Sequence, residues 1–281
     1  MIVGFPELLA NAKARGIAVG AFTCYDLTTA FGVLRAADAR RTGAILLVSE
    51  ASFRSPQGRL LVAALSAVAA RAETPCCVQL DHTSDPELIR TAIEAGVDAA
   101  MADGSRLPQP QNCELVRRVR HIAAARGAAV EAELGHIEGG EDVDRASAAG
   151  KLTDPDEAQS FVAEVGPDCL AVSIGNVHGT YAETPALDWD RLAGIRERLD
   201  GVPISLHGAS GLPDDDVRRA IRLGVSKVNF NTEIRSRYLG ELERQLSEVR
   251  KGSRLLELQE ALVEAVAEVV SAKLMLLEAS P

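Results

Sequence analysis

Apolar positions along this chain follow two rhythms, short aliphatic runs and longer stretches with apolar residues three and four apart. The short runs predict strands at VGAFTC (19–24), AILLVS (44–49), CCVQLD (76–81), VDAAMAD (97–103), AAVEAEL (128–134), CLAVSIG (169–175), VPISLH (202–207) and VSKVNFN (225–231). Between them, SPQGRLLVAALSAVAARA (55–72) and NCELVRRVRHIAAARG (112–127) read as helices with one apolar face. TSDPELIRTAIEAG (83–96) carries its own start and stop, with Ser84 or Asp85 as N-cap, Pro86 in the first turn and Gly96 after the last. TDPDEAQSFVAEVG (153–166) and LPDDDVRRAIRLG (212–224) repeat that grammar.

Eight strands, each followed by a helical stretch, predict a closed parallel (β/α)8 TIM barrel, one domain over residues 1–281. Two extra helices, 232–250 and 253–278, form a C-terminal extension over 232–281. The second carries Leu255, Leu258, Leu262, Val266, Val269 and Val270 on one stripe, which predicts packing within the core, with a subunit contact as the other use. Two connections are long: 135–153, acidic and rich in glycine and alanine, read as an active-site loop, and 176–190.

The bulk composition narrows the partners. The chain is 47% hydrophobic with a net charge of −10, so a large core is within reach, and nucleic acid or an anionic membrane surface is a poor match. The five cysteines (Cys24, Cys76, Cys77, Cys113, Cys169) have no C-x-x-C spacing, which argues against a disulfide framework and for a reducing, cytoplasmic setting. No basic leader and no apolar run of membrane-spanning length is expected in it.

The chemistry gathers at the strand ends. In chain order these carry Thr23 and Asp26, Ser49, Asp81 with His82, Asp103 with Ser105, Glu133, Asn176 with His178, His207, then Asn229 and Asn231. A barrel of this type builds its site from those ends. One such residue would be an N-cap or a turn-former; the whole series is not explained that way. His82, His178 and His207, three of five histidines, can converge as three imidazole ligands around one metal ion with a position left open. His207 opens into GASG (208–211), small residues that let backbone N–H groups approach a phosphate. Of the other two, His121 reads as an exposed residue of a basic helix, and His136 as a neighbour of the Glu133 strand end.

VSEASF (48–53), QLDH (79–82), MADGSRLP (101–108), VEAELG (130–135), GGEDV (139–143), SIGNVHGTY (173–181), LHGASGLP (206–213) and KVNFNTE (227–233) together resemble the class II, metal-dependent ketose-bisphosphate aldolases of the fructose- and tagatose-bisphosphate type. The resemblance runs nearly the whole chain, and LHGASGL points toward the tagatose branch. It implies a zinc ion held by His82, His178 and His207, with Glu133 as an alternate or second-metal ligand. It implies that Asp81 is the acid/base at the aldehyde oxygen and that Glu141 moves the proton at the carbon that becomes the nucleophile. Gly179, Gly208, Ala209 and Ser210, with Asn229, Phe230, Asn231 and Thr232, would cradle the phosphate of dihydroxyacetone phosphate, and Ser49 would join them in binding substrate. Some such aldolases bind a monovalent cation, Na+ or K+, beside the phosphate. The family reaction is reversible cleavage of a ketose bisphosphate to dihydroxyacetone phosphate and an aldehyde through a zinc-stabilised enediolate, in a homodimer or homotetramer.

Three positions depart from the family pattern: Thr23 where many members have asparagine, Thr83 where the tagatose type has a second histidine, and Asn231 where relatives carry alanine or aspartate. Asn231 falls at the aldehyde half, so the sugar preference is open there. Two rival readings stand beside the zinc aldolase. Lys227, alternating onto the same strand face as Asn229 and Asn231, could form a Schiff base, and the chain could bind metal and sugar phosphate without turnover.

Overall fold

Eight parallel strands pair in chain order, and the last pairs with the first, which closes the sheet into a barrel. The computed structural model describes residues 3–138, 150–179, 181, 185–252 and 254–278. The strands are β1 (Val19–Thr23), β2 (Ala44–Ser49), β3 (Cys76–Thr83), β4 (Ala99–Ala102), β5 (Ala129–Leu134), β6 (Cys169–Val172), β7 (Ile204–Leu206) and β8 (Val225–Phe230). Helix α1 (Phe5–Ala14) precedes β1, and α2 (Leu27–Arg40) follows it. Then come α3 (Glu50–Arg54), α4 (Gly58–Ala69), α5 (Pro86–Ala95), α6 (Gln109–Ala124), α7 (Pro155–Val165), α8 (Trp189–Arg198) and α9 (Asp214–Arg222), one or two after each strand. The chain closes with α10 (Thr232–Gly252) and α11 (Leu255–Glu278). The protein is thus a (β/α)8 TIM barrel with C-terminal helices, as the alternating pattern predicts.

Two of the three helices with predicted start and stop signals use them in full. The Asp85 side chain accepts from the Glu87 and Leu88 N–H groups, and Gly96 closes α5 at φ +110°. Asp154 and Gly166 do the same for α7. Helix α9 departs from that pattern, because Pro213 stands at its cap position and offers no side-chain hydrogen bond. Two further elements, α3 and α1, lie outside the predicted pattern. The short helix α3 is capped by Ser49, whose Oγ accepts from the Ser52 N–H. Helix α1 packs Phe5, Leu8, Leu9 and Ala12 against Val19, Ala21, Ile45, Leu47, Cys77, Ala99, Ala129 and Cys169, and so plugs the N-terminal end of the barrel.

Above that apolar layer the interior changes character. Gln79, Glu131, Ser205 and Lys227 are fully buried, and the next layer toward the strand C-termini carries Asp81, Glu133, His207 and Asn229. The alternate residues of the same strands face outward into the core beneath the helices, among them Phe22, Val78, Leu80, Val130, Ala132, Leu206, Val228 and Phe230. Period-two alternation therefore separates an apolar shell from a polar axis. All five cysteines are buried thiols outside any disulfide. Among the described residues no helix is long and apolar enough to cross a membrane.

Helix α11 packs in the core, as its stripe predicts: Leu258, Leu262, Val266 and Val270 are buried and Val269 is partly so, while Leu255 is exposed. Burying each of those side chains stabilises by roughly 1.5–3 kcal/mol. The helix approaches α2 closely at Gly32, where an added Cβ would meet Val266 at 2.6 Å and the Val263 carbonyl oxygen at 2.9 Å.

Candidate active site

Asp81 and His82 are adjacent in β3, and a regular strand would turn them to opposite faces. Here the β3–β4 register shifts between Leu80 and Thr83, and His82 adopts φ +40°. A non-glycine residue in that region costs on the order of 1–3 kcal/mol. The irregularity delivers both side chains to the mouth of the barrel, where bulges commonly re-aim functional groups.

There the three imidazoles meet. Ring centroids are 4.7 Å apart for His82–His207, 4.8 Å for His82–His178 and 5.7 Å for His178–His207. His82 Nε2 and His207 Nδ1 face each other at 2.8 Å. Their outer nitrogens are both spoken for: His82 Nδ1 lies 2.9 Å from Asp103 Oδ2, and His207 Nε2 lies 3.0 Å from Glu131 Oε1. Ionised carboxylates only accept, so each outer nitrogen carries the hydrogen and each inner nitrogen a lone pair. Two lone pairs this close need a cation between them, either a proton or a metal ion. Both ring nitrogens of His178 are buried without a hydrogen-bond partner. Burial and the neighbouring His82 and His207 rings hold the His178 pKa well below its ordinary value, which keeps it in the neutral form that ligates metals. Burial also lowers His207. Burial works against a charge on His82, but Asp81, Asp103 and Glu133 hold its pKa well above the usual value, as suits the proton-sharing partner. The donor set, its orphaned nitrogens and its carboxylate backing fit a divalent ion with imidazole ligands.

Glu133 stands on the other side of the His82 ring. Its Oε2 is 3.8 Å from His82 Nδ1, and its Oε1 accepts from the Ile137 N–H. With His82 and Asp103 it forms a second group whose candidate ligand atoms all lie within 4.8 Å of one another. Burial, then the charge of Asp103, push the Glu133 carboxyl up to about 8. His136 borders this group through Ser105, with Nδ1 3.0 Å from the Ser105 hydroxyl. His121 is exposed on α6.

Asp81 is fully buried, with Oδ2 accepting from Asn229 Nδ2 at 3.2 Å and Oδ1 without a partner. A small cavity beside it is lined by His178, Gly179, Gly208, Ser210, Asn229, Asn231 and Thr232. Gly208 sits at φ +65°, and a Cβ there would lie 2.0 Å from the Val177 carbonyl oxygen. Tyr181 braces the same corner, its hydroxyl donating to the Gly208 carbonyl and accepting from the Val177 N–H. Asn176 ties the ends of β6 and β7 together by donating to the His207 carbonyl. Asn231 takes a hydrogen bond on Oδ1 from the Tyr25 hydroxyl at 2.8 Å.

Not every expected residue arrives at this cavity. The Phe230 ring stacks on Phe22 with centroids 5.7 Å apart, in the shell outside the strands, so only its backbone can serve the site. Ala209 is likewise buried in that shell. Ser49 is the register partner of Asp81, yet its hydroxyl caps α3. Glu141 lies outside the described residues.

Three contributors were not assigned a role from the sequence: Asp103, Glu131 and Gln79. Glu131 accepts from His207, from Gln79 Nε2 at 2.7 Å and from Lys227 Nζ at 2.8 Å. The signal for Gln79 and Glu131 exists in the alternation, since Gln79 precedes Asp81 by two and Glu131 precedes Glu133 by two, and Asp103 stands in the strand-end series. Lys227 is locked in this group. Burial works against its charge, but Glu131 and Asp81 hold its pKa above the ordinary lysine value.

The comparisons with known proteins fall on one family. The model for class-II fructose-bisphosphate aldolases matches residues 3–280. The crystal structure of the YdjI aldolase from Escherichia coli K12 is 27% identical, covering 99% of this chain and 97% of that one with a TM-score of 0.87. That of a candidate fructose-1,6-biphosphate aldolase from Coccidioides immitis is 31% identical, covering 96% and 94% with a TM-score of 0.89. A fructose-bisphosphate aldolase from Campylobacter jejuni, 20% identical, covers 98% and 95% with a TM-score of 0.83 and shares the fold. A match spanning this barrel from its N-terminal plug to its last helix leaves one assignment: the chain belongs to the class-II fructose-bisphosphate aldolase family.

Proposed function

We propose that this protein is a zinc-dependent aldolase that reversibly cleaves a ketose 1,6-bisphosphate, of the tagatose or fructose type, to dihydroxyacetone phosphate and an aldehyde. The observation that carries the reading is the convergence of three imidazoles, two of them with ring nitrogens facing each other at 2.8 Å, beside a buried aspartate with one unpartnered oxygen. His82, His178 and His207 would hold the zinc ion. Bound there, it would supply the Lewis acidity that stabilises negative charge on the oxygens of the cleaved fragment.

The chain's own groups account for the remaining tasks. Asp81, oriented by Asn229, presents Oδ1 to exchange a proton with the aldehyde oxygen. Glu141 is proposed as the group that moves the proton at carbon. Gly179, Gly208 and Ser210 with the first turn of α10 would bind the phosphate, because backbone N–H groups at a helix N-terminus favour an anion. A monovalent cation beside the phosphate is part of the same proposal. Lys227 serves poorly as a Schiff-base nucleophile, since its ammonium is committed to Glu131 and Asn229 and needs a lone pair to attack.

The test is a panel of ketose phosphates assayed for triose-phosphate release with and without chelator. Cleavage of fructose or tagatose 1,6-bisphosphate that stops with chelator and returns with zinc is the expected result. Stoichiometric zinc with no turnover on any member of the panel would make the protein a binder and overturn the assignment.

A further inference from the structure

Lys227 is among the largest fully buried side chains of the molecule, and it lies on the barrel axis rather than at the mouth. Its ammonium donates to Glu131 Oε2 at 2.8 Å, Asn229 Oδ1 at 2.7 Å and Ser205 Oγ at 3.5 Å. Two hydrogen-bond chains leave from it. One runs across the barrel through Glu131 to His207 Nε2, and the other runs along β8 through Asn229 to Asp81 Oδ2.

The direction of each chain follows from what the groups can do. An ammonium has hydrogens and no acceptor, whereas an ionised carboxylate has acceptors and no hydrogen. Lys227 therefore requires the oxygen of the Asn229 amide to face it, which turns the NH2 group toward Asp81 and leaves Asp81 Oδ1 for the site. On the other arm Lys227 balances the charge of Glu131, whose remaining oxygen accepts from His207 Nε2 and so leaves the Nδ1 lone pair facing His82. Gln79 completes the set by donating to the oxygen that Lys227 also uses. No substrate atom need touch the lysine for either effect.

We infer that Lys227 is a positioning residue: its donor-only ammonium sets the polarity of both chains, fixing the tautomer of the candidate metal ligand His207 and the orientation of the candidate acid/base Asp81. The turnover arm of this inference rests on the aldolase reading, while the metal arm does not.

Two variants test it, K227M and the double substitution K227M/E131Q, which removes both buried charges and so covers the case in which the single variant does not fold. Zinc affinity is measured by competition with a chromogenic chelator, the ligand field by the cobalt(II) spectrum, and kcat and KM with fructose 1,6-bisphosphate. Each folded variant is expected to bind zinc roughly 10–100-fold more weakly, with a changed cobalt spectrum. The same variants should lose about 100-fold in kcat at nearly unchanged KM, as expected for a misdirected proton-transfer group. A folded double variant with wild-type zinc affinity and kcat overturns the inference, and so does borohydride trapping of a substrate adduct on Lys227. If the wild-type protein cleaves no ketose phosphate, the reaction assignment fails, and the zinc competition still decides the role of Lys227.

Discussion

Asp81 and His207 lie at nearly the same depth but meet different partners, and single substitutions should separate the roles proposed for them. One Asp81 oxygen is held by Asn229 and the other is unpartnered, whereas both His207 nitrogens are committed, one to Glu131 and one toward His82. Asp81→Ala is expected to keep stoichiometric zinc by elemental analysis while kcat falls about 10²–10⁴-fold; near-normal turnover would remove Asp81 from the mechanism. His207→Ala should lose zinc together with activity, and full occupancy in that variant would reduce His207 to a packing residue. Gly208 is constrained twice, by φ +65° and by the 2.0 Å approach of a Cβ to the Val177 carbonyl oxygen. Gly208→Ala must displace the 177–179 segment, with an expected rise in KM of roughly tenfold or more. Steady-state kinetics with an unchanged KM would separate Gly208 from phosphate binding. At this scale the sequence exposes the histidines, because each follows an apolar run. It does not expose how Asp81 and His82 can both reach one site, since that depends on a register shift set by pairing with β4.

Between elements, α11 fits closely on α2, and glycine makes the approach possible. Arg35 pairs with Glu260 at 2.7 Å and Glu264 at 3.1 Å along the same seam, but all three side chains are largely exposed and contribute little. Packing at Gly32 decides the approach. Gly32→Val would force branched atoms against Val266 and the Val263 carbonyl, overpacking that costs about 1–3 kcal/mol or more. The expected outcome is a thermal midpoint lowered by several degrees with the cobalt spectrum unchanged; an unaltered midpoint would mean that α11 is free to shift. The apolar stripe of α11 was legible because helical spacing alone defines a face. Its partner was not, because nothing local to residues 253–278 names Gly32. Helix α1 is illegible in the sequence for a related reason: Phe5, Leu8, Leu9 and Ala12 gain their purpose only when an open barrel end lies beneath them.

At the scale of the whole molecule the site draws on distant parts of the chain, since the imidazoles and carboxylates at the mouth come from β3, the β4–α6 connection, β5, the β6–α8 connection and the end of β7. An ion bound only by the folded arrangement stabilises it, by about 2.7 kcal/mol at a free concentration one hundred times its Kd. Chelator should therefore lower the melting temperature of the wild-type protein and leave that of His207→Ala unmoved. Equal responses from the two would detach the metal from these ligands. The amino-acid sequence by itself determined the barrel, because the alternation of strand and helix periods is a local property, and it marked the strand-end residues, because polar groups ending apolar runs are visible without coordinates. Only the tertiary structure decided which of those residues share a centre, which way each hydrogen bond runs, and that Glu131, Gln79 and Lys227 form one buried group. Those facts depend on distances between strands far apart in the chain, where burial withdraws water and obliges every donor to find an acceptor.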